Sequence, residues 1–305
     1  MKEGRSKVSI IIPNYNGREY LKRLLPSIAN QTYDSYEVII LDDCSPDRFA
    51  EEYIKAFVRD CDNMRLVENK ENLGFVRNCN KGFRLANGDY VCLLTNDTEV
   101  KSDFVKRNVE IMDSDRSIGV LSCIIVDEDG NSWFSGGTFR RGRRVNLRDD
   151  FQSVRSVDWV AGTAPFYRRE VFDKVGLLNE DFVMYHEDME FCLRVRNETD
   201  YKVCVFPEKL VTHNLHLHSV QFDLARVRRL YYYGHRNHIL LLRKYSPKHI
   251  PKILLCYLGE IVSLPIVPLL KAKPKAKPKS FLLSLYVILL VIRGTLDGLT
   301  QKESR

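Results

Sequence analysis

The chain has 305 residues, 44% of them hydrophobic, and a formal net charge of +7. This length and composition allow a full buried core in one large domain or two modest ones, and we expect one catalytic domain followed by a tail. The positive charge is concentrated in the tail and in residues 140–148. A local basic patch of this kind favours phosphates or an anionic membrane surface as its partner, and we exclude nucleic acid.

The cysteines and the N-terminus indicate a reducing setting. Eight cysteines occur singly, at Cys44, Cys61, Cys79, Cys92, Cys123, Cys192, Cys204 and Cys256. None forms a C-x-x-C pair, which disfavours structural zinc and a redox dithiol. Several, such as Cys92, lie in apolar strand-like runs where cysteine acts as a small hydrophobic residue. The charged residues 1–7 lead directly into a short strand, so no signal peptide is predicted, and a cytosolic setting is the simplest.

Strand and helix patterns alternate through the first 126 residues. Predicted strands cover residues 8–13, 37–42, 64–68, 90–95 and 119–126. Predicted helices cover residues 18–31, 49–58, 74–86 and 103–112. Continuous apolar strands separated by helices are typical of a parallel sheet covered on both faces.

Ligands bind beyond the carboxyl ends of the strands in such a sheet, and Asn14, Asp43 and Asp97 lie at three of these ends. No G-x-G-x-x-G motif follows the first strand, which disfavours a dinucleotide-binding dehydrogenase. The order of the elements therefore points to a binding edge before any motif is considered.

The second half of the chain begins with a turn-rich, basic region at residues 127–158, which indicates a loop or hairpin between two halves of the domain. An apolar segment at residues 160–166, containing Gly162, follows it. Helices are predicted at residues 169–175, ending at Gly176, and at residues 187–196, where apolar positions recur on one face.

The tail contains two apolar segments, residues 253–270 and 281–292, separated by a Lys/Pro run at 271–279. The first segment is broken by Glu260, Pro265 and Pro268. Neither supplies the ~20 clean apolar residues that a spanning helix needs. We expect both to lie in the membrane interface with the lysines on anionic headgroups. A soluble helical hairpin packed on the core or on a second subunit, and a re-entrant hairpin, are the alternatives.

Two acidic motifs follow predicted strands. Asp97 can hold a hard divalent cation whose remaining ligands are water and diphosphate oxygens, and the neighbouring Asn96 can bond a sugar or ribose hydroxyl. The alternative is that the pair caps a helix starting near Ser102. Asp43 offers a carboxylate to a ring N–H or a ribose hydroxyl, with helix capping again the alternative. Tyr15 can stack on a base, or simply pack.

The late motifs offer a base and an imidazole. Asp188 or Glu187 can take a proton from an attacking hydroxyl, although acids are also frequent in a first helical turn. His213, His216 and His218 form a cluster in which one imidazole can complete a manganese site. A zinc site with a distant cysteine, or polar histidines on one face of a strand, are the alternatives.

An ordered series of motifs resembles the family-2 glycosyltransferases of GT-A fold over residues 8–245. It comprises VSIIIPNYNG at 8–17, SIANQTY at 27–33, EVIILDDCSPD at 37–47, NLGF at 72–75, NGDY at 87–90, LTNDT at 94–98 and YHED at 185–188. The resemblance is closest to the rhamnosyltransferase-like branch of that family. It implies an α/β fold with a mostly parallel, Rossmann-like sheet flanked by helices. The apolar segments beyond the resemblance predict a C-terminal helical, membrane-associated tail.

The family also implies an inverting reaction in which Mn²⁺ or Mg²⁺ holds the donor diphosphate. On this basis Pro13, Tyr15 and Asp43 line the nucleoside pocket, and Arg77 approaches the nucleotide. The remaining assignments are Asn96 and Gly162 to substrate binding, Asp97 and His213 to the metal, and Asp188 with Glu187 to catalysis.

The resemblance departs from the family pattern at three places. The metal motif often has two or more acids, whereas Asn96 replaces one here and leaves Asp97 as the single carboxylate. Residues 178–180 read Leu-Asn-Glu where Phe-Asp-Glu is common, so their role stays open. Glu190 stands where Asp is frequent, which lengthens the carboxylate by one methylene.

We therefore expect a catalytic domain at residues 1–245 and a membrane-interface or oligomerisation segment at 246–305. The expected partners are a nucleoside-diphosphate sugar, a glycan or polyprenyl-linked acceptor, the cytoplasmic membrane surface and, as an open possibility, a second copy of the chain. The basic loop at 140–144 either faces an acceptor diphosphate or is solvated. A non-catalytic sugar-nucleotide-binding or glycan-binding subunit is the alternative function, and a nucleotidyltransferase is disfavoured because no glycine-rich phosphate loop is present.

Overall fold

The structure, a computed structural model, describes residues 7–46, 48–214, 224–263 and 277–301. Its strands are β1 (Val8–Asn14), β2 (Tyr36–Asp42), β3 (Met64–Glu68), β4 (Tyr90–Leu93), β5 (Thr98–Val100), β6 (Ile118–Val126), β7 (Ser132–Phe134), β8 (Gly137–Arg140), β9 (Arg143–Asn146), β10 (Arg155–Ser156), β11 (Phe166–Arg168) and β12 (Lys202–His213).

The helices are α1 (Arg18–Ala29), α2 (Arg48–Arg59), α3 (Phe75–Leu85), α4 (Phe104–Ser114), α5 (Arg169–Val175), α6 (Glu187–Glu198), α7 (Leu224–Arg228), α8 (Gly234–Tyr245), α9 (Ile250–Ser263) and α10 (Lys277–Thr300). A π-helical turn, Arg229–Tyr233, joins α7 to α8, and a 3-10 turn, Pro247–His249, joins α8 to α9. The predicted helix at residues 169–175, followed by Gly176, is confirmed to the residue.

The main sheet has the strand order β10-β12-β6-β11-β4-β1-β2-β3, with β5 paired to β12 and β7 paired to β6. β1 is parallel to β2 and β4, β2 to β3, and β6 to β12. The short β11 lies antiparallel between β4 and β6. The predicted α/β sheet is confirmed, but three residues are too few for a pattern to have revealed the antiparallel strand at its centre.

The strands β1 and β6 are buried on both faces, as their continuous apolar sequences predicted. All seven residues of β1 and all nine of β6 are buried. Helix α1 contributes four buried aliphatic residues at helical spacing, Leu21, Leu24, Leu25 and Ile28. A central strand with both faces covered leaves only its ends open to ligands, so the carboxyl edge is where polar side chains can gather.

The turn-rich region at residues 127–158 contains the predicted hairpin. β8 and β9 form a separate two-stranded sheet. Arg141 and Gly142 join them with φ of 52° and 74°, the left-handed pair that suits a tight hairpin turn. β7 and β10 pair antiparallel with β6 and β12, so the region extends one edge of the main sheet.

The segment after β4 differs from the prediction. The strand predicted to reach residue 95 ends at Leu93, and the unpredicted β5 follows. Helix α4 begins only at Phe104, after Asp103. The interpretation of Asn96 and Asp97 as a helix cap is therefore wrong, because a strand separates them from the helix.

Contacts divide the chain into two compact units. The first contains the described residues of Met1–Phe139, Arg144–Glu180 and Glu187–Val220, and the second those of Arg140–Arg143, Asp181–His186 and Gln221–Arg305. Helix α8 thus belongs to the second unit, although the sequence predicts a catalytic domain that extends to residue 245, and that boundary stays a prediction.

The tail is helical where it is described, in α9 and α10. Within the described parts of the chain, no helix is both long enough and apolar enough to cross a membrane. His216, His218, Pro265, Pro268 and the lysines at 271–275 lie outside the described residues, so the predictions made for them stay predictions.

Candidate functional site

The carboxyl ends of β1 and β2 and the loop after β4 are joined by a hydrogen-bond chain centred on Asn14. Asn14 is 2% exposed, and its Nδ2 donates to Asp42 Oδ1 over 2.8 Å. Its Oδ1 accepts from Asn96 Nδ2, also over 2.8 Å. This bond fixes the orientation of the Asn96 amide, which presents a carbonyl oxygen as the remaining acceptor.

Asp43 holds the loop that leads into α3. Its Oδ1 accepts from Asn69 Nδ2 and from the Leu73 N–H, and its Oδ2 accepts from the Gly74 N–H, all within 2.9 Å. The side chain is 3% exposed. Asp43 therefore shapes the rim of the site through three protein donors, and its predicted contact with a nucleoside stays a prediction.

The residues after β1 form a short loop over the same edge. Pro13 is buried within β1, whereas Tyr15 is 51% exposed, so its ring is accessible for stacking. Asn16 adopts a left-handed φ of 54°, and its N–H donates to Ser45 Oγ over 2.9 Å. Ser45 Oγ in turn donates to Asp42, which ties this loop to the end of β2.

The two predicted metal ligands lie side by side, although 116 residues separate them. His213 Nε2 is 3.2 Å from Asp97 Oδ2, and both side chains are largely buried. The antiparallel pairing of β5 with β12 aligns His213 with Thr98 and so places the imidazole beside Asp97. Thr95 Oγ1 donates to the other Asp97 oxygen, and the Trp133 ring packs edge-on against His213 with centroids 4.5 Å apart.

A carboxylate oxygen and an imidazole nitrogen at this spacing fit a divalent cation such as Mn²⁺, which accepts both donor types. The described residues contain no group of three or more His, Cys, Asp or Glu side chains placed to hold a metal ion. Asp97 and His213 therefore fit part of the ligand set of an ion whose other ligands come from a substrate and water, and their assignment to a metal stays a prediction.

Asp188, the predicted base, is held at the start of α6. Its Oδ2 accepts from the Gly162 N–H over 2.9 Å, and its Oδ1 accepts from the Met189 N–H over 2.7 Å. Loss of hydration raises the pKa of Asp188 although its surface is partly exposed, and the two N–H donors and the Arg144 charge oppose that rise. A carboxylate with a raised pKa is a stronger proton acceptor. Gly162 thus acts on this residue through its backbone.

Glu187 is more deeply buried than its neighbour, at 7% exposure. Burial, followed by the charge of Asp188, raises the pKa of Glu187 well above its ordinary value. Its Oε2 has no hydrogen-bond partner among the described residues. These surroundings favour the neutral form of Glu187 more strongly than that of Asp188, because the backbone N–H donors and Arg144 oppose the rise in the pKa of Asp188. The pair was assigned jointly to catalysis from sequence, and the structure gives its two members different environments.

The backbone before α6 is held in an uncommon conformation. Tyr185 and His186 both have left-handed φ values, 67° and 69°. Asn237 of α8, itself fully buried, donates from Nδ2 to the carbonyl oxygens of Met184 and Tyr185 over 2.8 Å each. Such strain persists where surrounding contacts enforce it, and it lies next to the acids of α6.

Glu180 acquires a structural role that the sequence left open. It forms an ion pair with Arg77 at 3.2 Å and accepts from Asn80 Nδ2 over 3.1 Å. Asn80 also exchanges two hydrogen bonds with the backbone of Leu178. Arg77 is exposed, so its predicted approach to a nucleotide stays a prediction.

Sequence reasoning missed two contributors and left one open. Asn14 was noted only for its position, although its location at the end of a buried strand was a usable signal. The contact of Trp133 with His213 could not be predicted from the sequence, because only the fold brings the two rings together. Glu190 is fully buried and forms an ion pair with Arg194 at 3.0 Å, one helical turn away, so it stabilises α6 from within.

Comparison with known proteins identifies a family. The family model described as glycosyl transferase family 2 matches residues 9–176. An uncharacterised glycosyltransferase of Haemophilus influenzae is 27% identical over 222 residues, which are 68% of this chain and 65% of that protein. A low-salt glycan biosynthesis hexosyltransferase of Haloferax volcanii, Agl10, is 27% identical over 63% of this chain and 62% of its own length. The chain thus spans less than two thirds of either relative.

A solved structure shares the fold. The mannosyltransferase PcManGT of Pyrobaculum calidifontis, in complex with GDP-Man and Mn²⁺, aligns with a TM-score of 0.64 and 17% identity over 99% of this chain and 89% of its own. At this identity the likeness shows the fold alone. The α/β architecture predicted from the sequence is confirmed as that of GT-A glycosyltransferases.

Proposed function

Since the chain belongs to glycosyl transferase family 2, whose model covers more than half of it, we propose that it transfers a sugar from a nucleoside-diphosphate sugar to a hydroxyl of a glycan or lipid-linked acceptor. One observation carries the proposal. The Asp97–His213 pair and the Asn14–Asn96 pair adjoin each other because Asn96 and Asp97 are consecutive, so a carboxylate and an imidazole suited to a cation lie beside an amide that can hydrogen-bond a sugar hydroxyl.

The transfer proceeds as a single displacement with inversion. The acceptor oxygen forms a bond to the anomeric carbon while the bond from that carbon to the diphosphate oxygen breaks. Asp188 takes the acceptor proton, and the nucleoside diphosphate leaves with the bonding electrons. Asp97 and His213 would hold a divalent cation, Mn²⁺ or Mg²⁺, which when bound would supply positive charge to the leaving diphosphate.

Glu187 and Arg144 set the electrostatics of the base. Burial raises the pKa of Glu187 well above its ordinary value and so favours its neutral form, which adds no negative charge beside Asp188. Arg144, whose guanidinium lies 5.8 Å over the Trp159 ring, favours the ionised form of Asp188. The exposed arginines of the β8–β9 hairpin are suited to an acceptor diphosphate, such as that of a polyprenyl carrier.

The donor sugar is proposed as a hexose or rhamnose. The relative from Haloferax volcanii is named a hexosyltransferase, whereas the motifs of this chain resemble the rhamnosyltransferase-like branch. A panel of UDP-hexoses, GDP-mannose and dTDP-rhamnose, screened by thermal shift with and without Mn²⁺, identifies the donor, because a ligand that binds the native state stabilises it by mass action.

The test separates metal-dependent binding from turnover. Asp97→Asn is expected to abolish the effect of Mn²⁺ on donor binding. Its donor affinity, measured by isothermal titration, should be the same with Mn²⁺ and with a chelator. Asp188→Asn is expected to retain donor affinity but to lower the rate of nucleoside-diphosphate release by about 10²- to 10⁴-fold. The exposed Asp173→Asn on α5 serves as the matched control and should change neither quantity.

Full turnover in Asp188→Asn, or a retained Mn²⁺ effect in Asp97→Asn, would contradict the corresponding assignment. Donor binding by the unmodified protein without hydrolysis or transfer to any acceptor would instead support the alternative, a sugar-nucleotide-binding subunit. The replacement of an acid by Asn96 in the metal motif is the observation that favours this alternative.

A further inference from the structure

Helix α10 has apolar residues on both of its faces. Val287, Leu290 and Val291 on one side are buried. On the other side four large residues are exposed, Leu285 at 41%, Leu289 at 64%, Ile292 at 41% and Leu296 at 53%. Their spacing of four, three and four residues places them in one stripe along the helix, which we call the leucine face.

The inner side of α10 is fixed against the second unit by two glycines. A Cβ at Gly294 would lie 2.4 Å from the Tyr232 carbonyl oxygen, and one at Gly298 would lie 2.6 Å from the Arg236 carbonyl oxygen. Tyr232 Oη also donates to Asp297 over 2.6 Å. The helix therefore packs too closely against α8 and the π-helical turn to rotate, and the leucine face stays outward.

Other elements of the second unit also expose apolar and basic side chains. Leu255 and Leu258 of α9 are 67% and 58% exposed, and the exposed Lys252 lies about one turn before Leu255. Glu260, the acid of α9, lies with Oε2 3.3 Å from His235 Nε2, and this hydrogen bond lowers its pKa. Its negative charge is therefore directed toward a partner within the unit.

Charge identifies the class of surface that this unit fits. Residues 224–305 contain 16 Lys and Arg against three Asp and Glu, whereas residues 1–223 contain 31 against 37. The net charge of +7 therefore combines about +13 in the C-terminal part with about −6 in the rest. Arg293, next to Ile292 on α10, has a side chain that is 76% exposed.

Exposed leucines combined with an excess of cations are typical of helices that lie in the interface of an anionic bilayer. A second copy of the chain would bring an equally cationic surface against the leucine face, and the repulsion opposes that occupant. We propose that the leucine face of α10 and the exposed leucines of α9 bind the surface of an anionic lipid bilayer. This inference does not depend on the proposed sugar transfer.

Sedimentation with vesicles tests the proposal on the full chain. The protein is expected to pellet with mixed phosphatidylcholine and phosphatidylglycerol vesicles, to pellet much less with phosphatidylcholine alone, and to be released by salt. The double variant Leu289→Gln, Leu296→Gln should weaken binding by more than about tenfold, because each leucine withdrawn from the interface loses about that much in affinity. Val145→Gln, Val154→Gln removes two exposed valines from the first unit and is the matched control.

A second variant tests the electrostatic part and guards against misfolding of the first. Lys252→Gln, Arg293→Gln should weaken binding to the anionic vesicles by about fivefold for each cation removed. Unchanged sedimentation of both double variants, or an unmodified protein that stays in the supernatant with anionic vesicles, would overturn the proposal. A dimer in solution that Leu289→Gln, Leu296→Gln abolishes, without any vesicle binding, would show that a second copy covers the face instead.

Discussion

Glu187 shows how the burial of a carboxyl group couples its protonation to the stability of the fold. Its pKa is raised in the folded state above the ordinary value of 4.5, chiefly because burial disfavours the charged form. Above pH 4.5 the unfolded chain therefore releases a proton that the folded chain still holds. The contribution of Glu187 to folding is complete below that pH and is lost as the pH rises toward the folded-state pKa.

Replacing Glu187 by glutamine removes this titration. We expect the free energy of unfolding of Glu187→Gln, relative to the unmodified protein, to increase with pH above about 4.5, by up to about 1.4 kcal/mol per pH unit for one proton. Urea unfolding over a pH series measures this difference. The exposed Glu52→Gln should show no such trend, and a flat difference for Glu187→Gln would mean that the buried carboxyl is ionised in the folded protein.

At the scale of elements, the start of α1 depends on a close approach that only glycine allows. A Cβ on Gly17 would lie 2.0 Å from Asn96 Nδ2 and 2.3 Å from Asn14 Oδ1. These are the two atoms of the hydrogen bond that orients Asn96. Gly17, the residue before α1, therefore packs directly against the loop after β4 at the edge of the sheet.

Gly17→Ala is expected to displace the Asn14–Asn96 pair and to destabilise the protein by about 1–3 kcal/mol, the usual cost of overpacking. Donor affinity should fall with it, because Asn96 loses its fixed orientation. Gly234→Ala in α8, where nothing lies within 4 Å of the added carbon, is the control and should be neutral or stabilising by up to about 1 kcal/mol. Urea unfolding measures the stability of both variants, and isothermal titration measures their donor affinity. Equal stability and equal affinity in the two variants would contradict the close packing of Gly17 against Asn14 and Asn96.

At the scale of the whole molecule, the cysteines divide into buried and accessible groups. Cys44 and Cys256 are exposed and Cys61 is intermediate, and the other five are buried. Burial raises the pKa of Cys123 to about 12 and of Cys204 to about 11. Since the thiolate is the reactive species, these buried thiols are inert while the chain is folded.

Thiol labelling followed by mass spectrometry is expected to modify Cys44 and Cys256 rapidly in the native protein and Cys61 more slowly. The five buried thiols should react only when denaturant unfolds the chain. Modification of Cys123 at the rate of Cys44 under native conditions would contradict the burial of β6.

Local patterns were sufficient for the framework of the molecule. Strands such as β1 and β6 are continuous apolar runs, and α1 has apolar residues at helical spacing, so their type and order followed from local sequence patterns. The carboxyl-edge rule then placed Asn14, Asp43 and Asp97 at one edge. The short strands β5 and β11 were not predicted, because each has only three residues, too few to show an apolar pattern.

The sequence by itself determined that this is an α/β chain with acidic strand ends, a cationic tail and the ordered motifs of its family. Only the tertiary structure decided that Asp97 meets His213, that Asn14 orients Asn96, and that Glu187 and Asp188 differ in environment. The physical reason is that strand pairing and burial depend on contacts between residues far apart in the chain, which local periodicity does not encode. The outward leucine face was likewise decided by which side of α10 the glycines allow to pack.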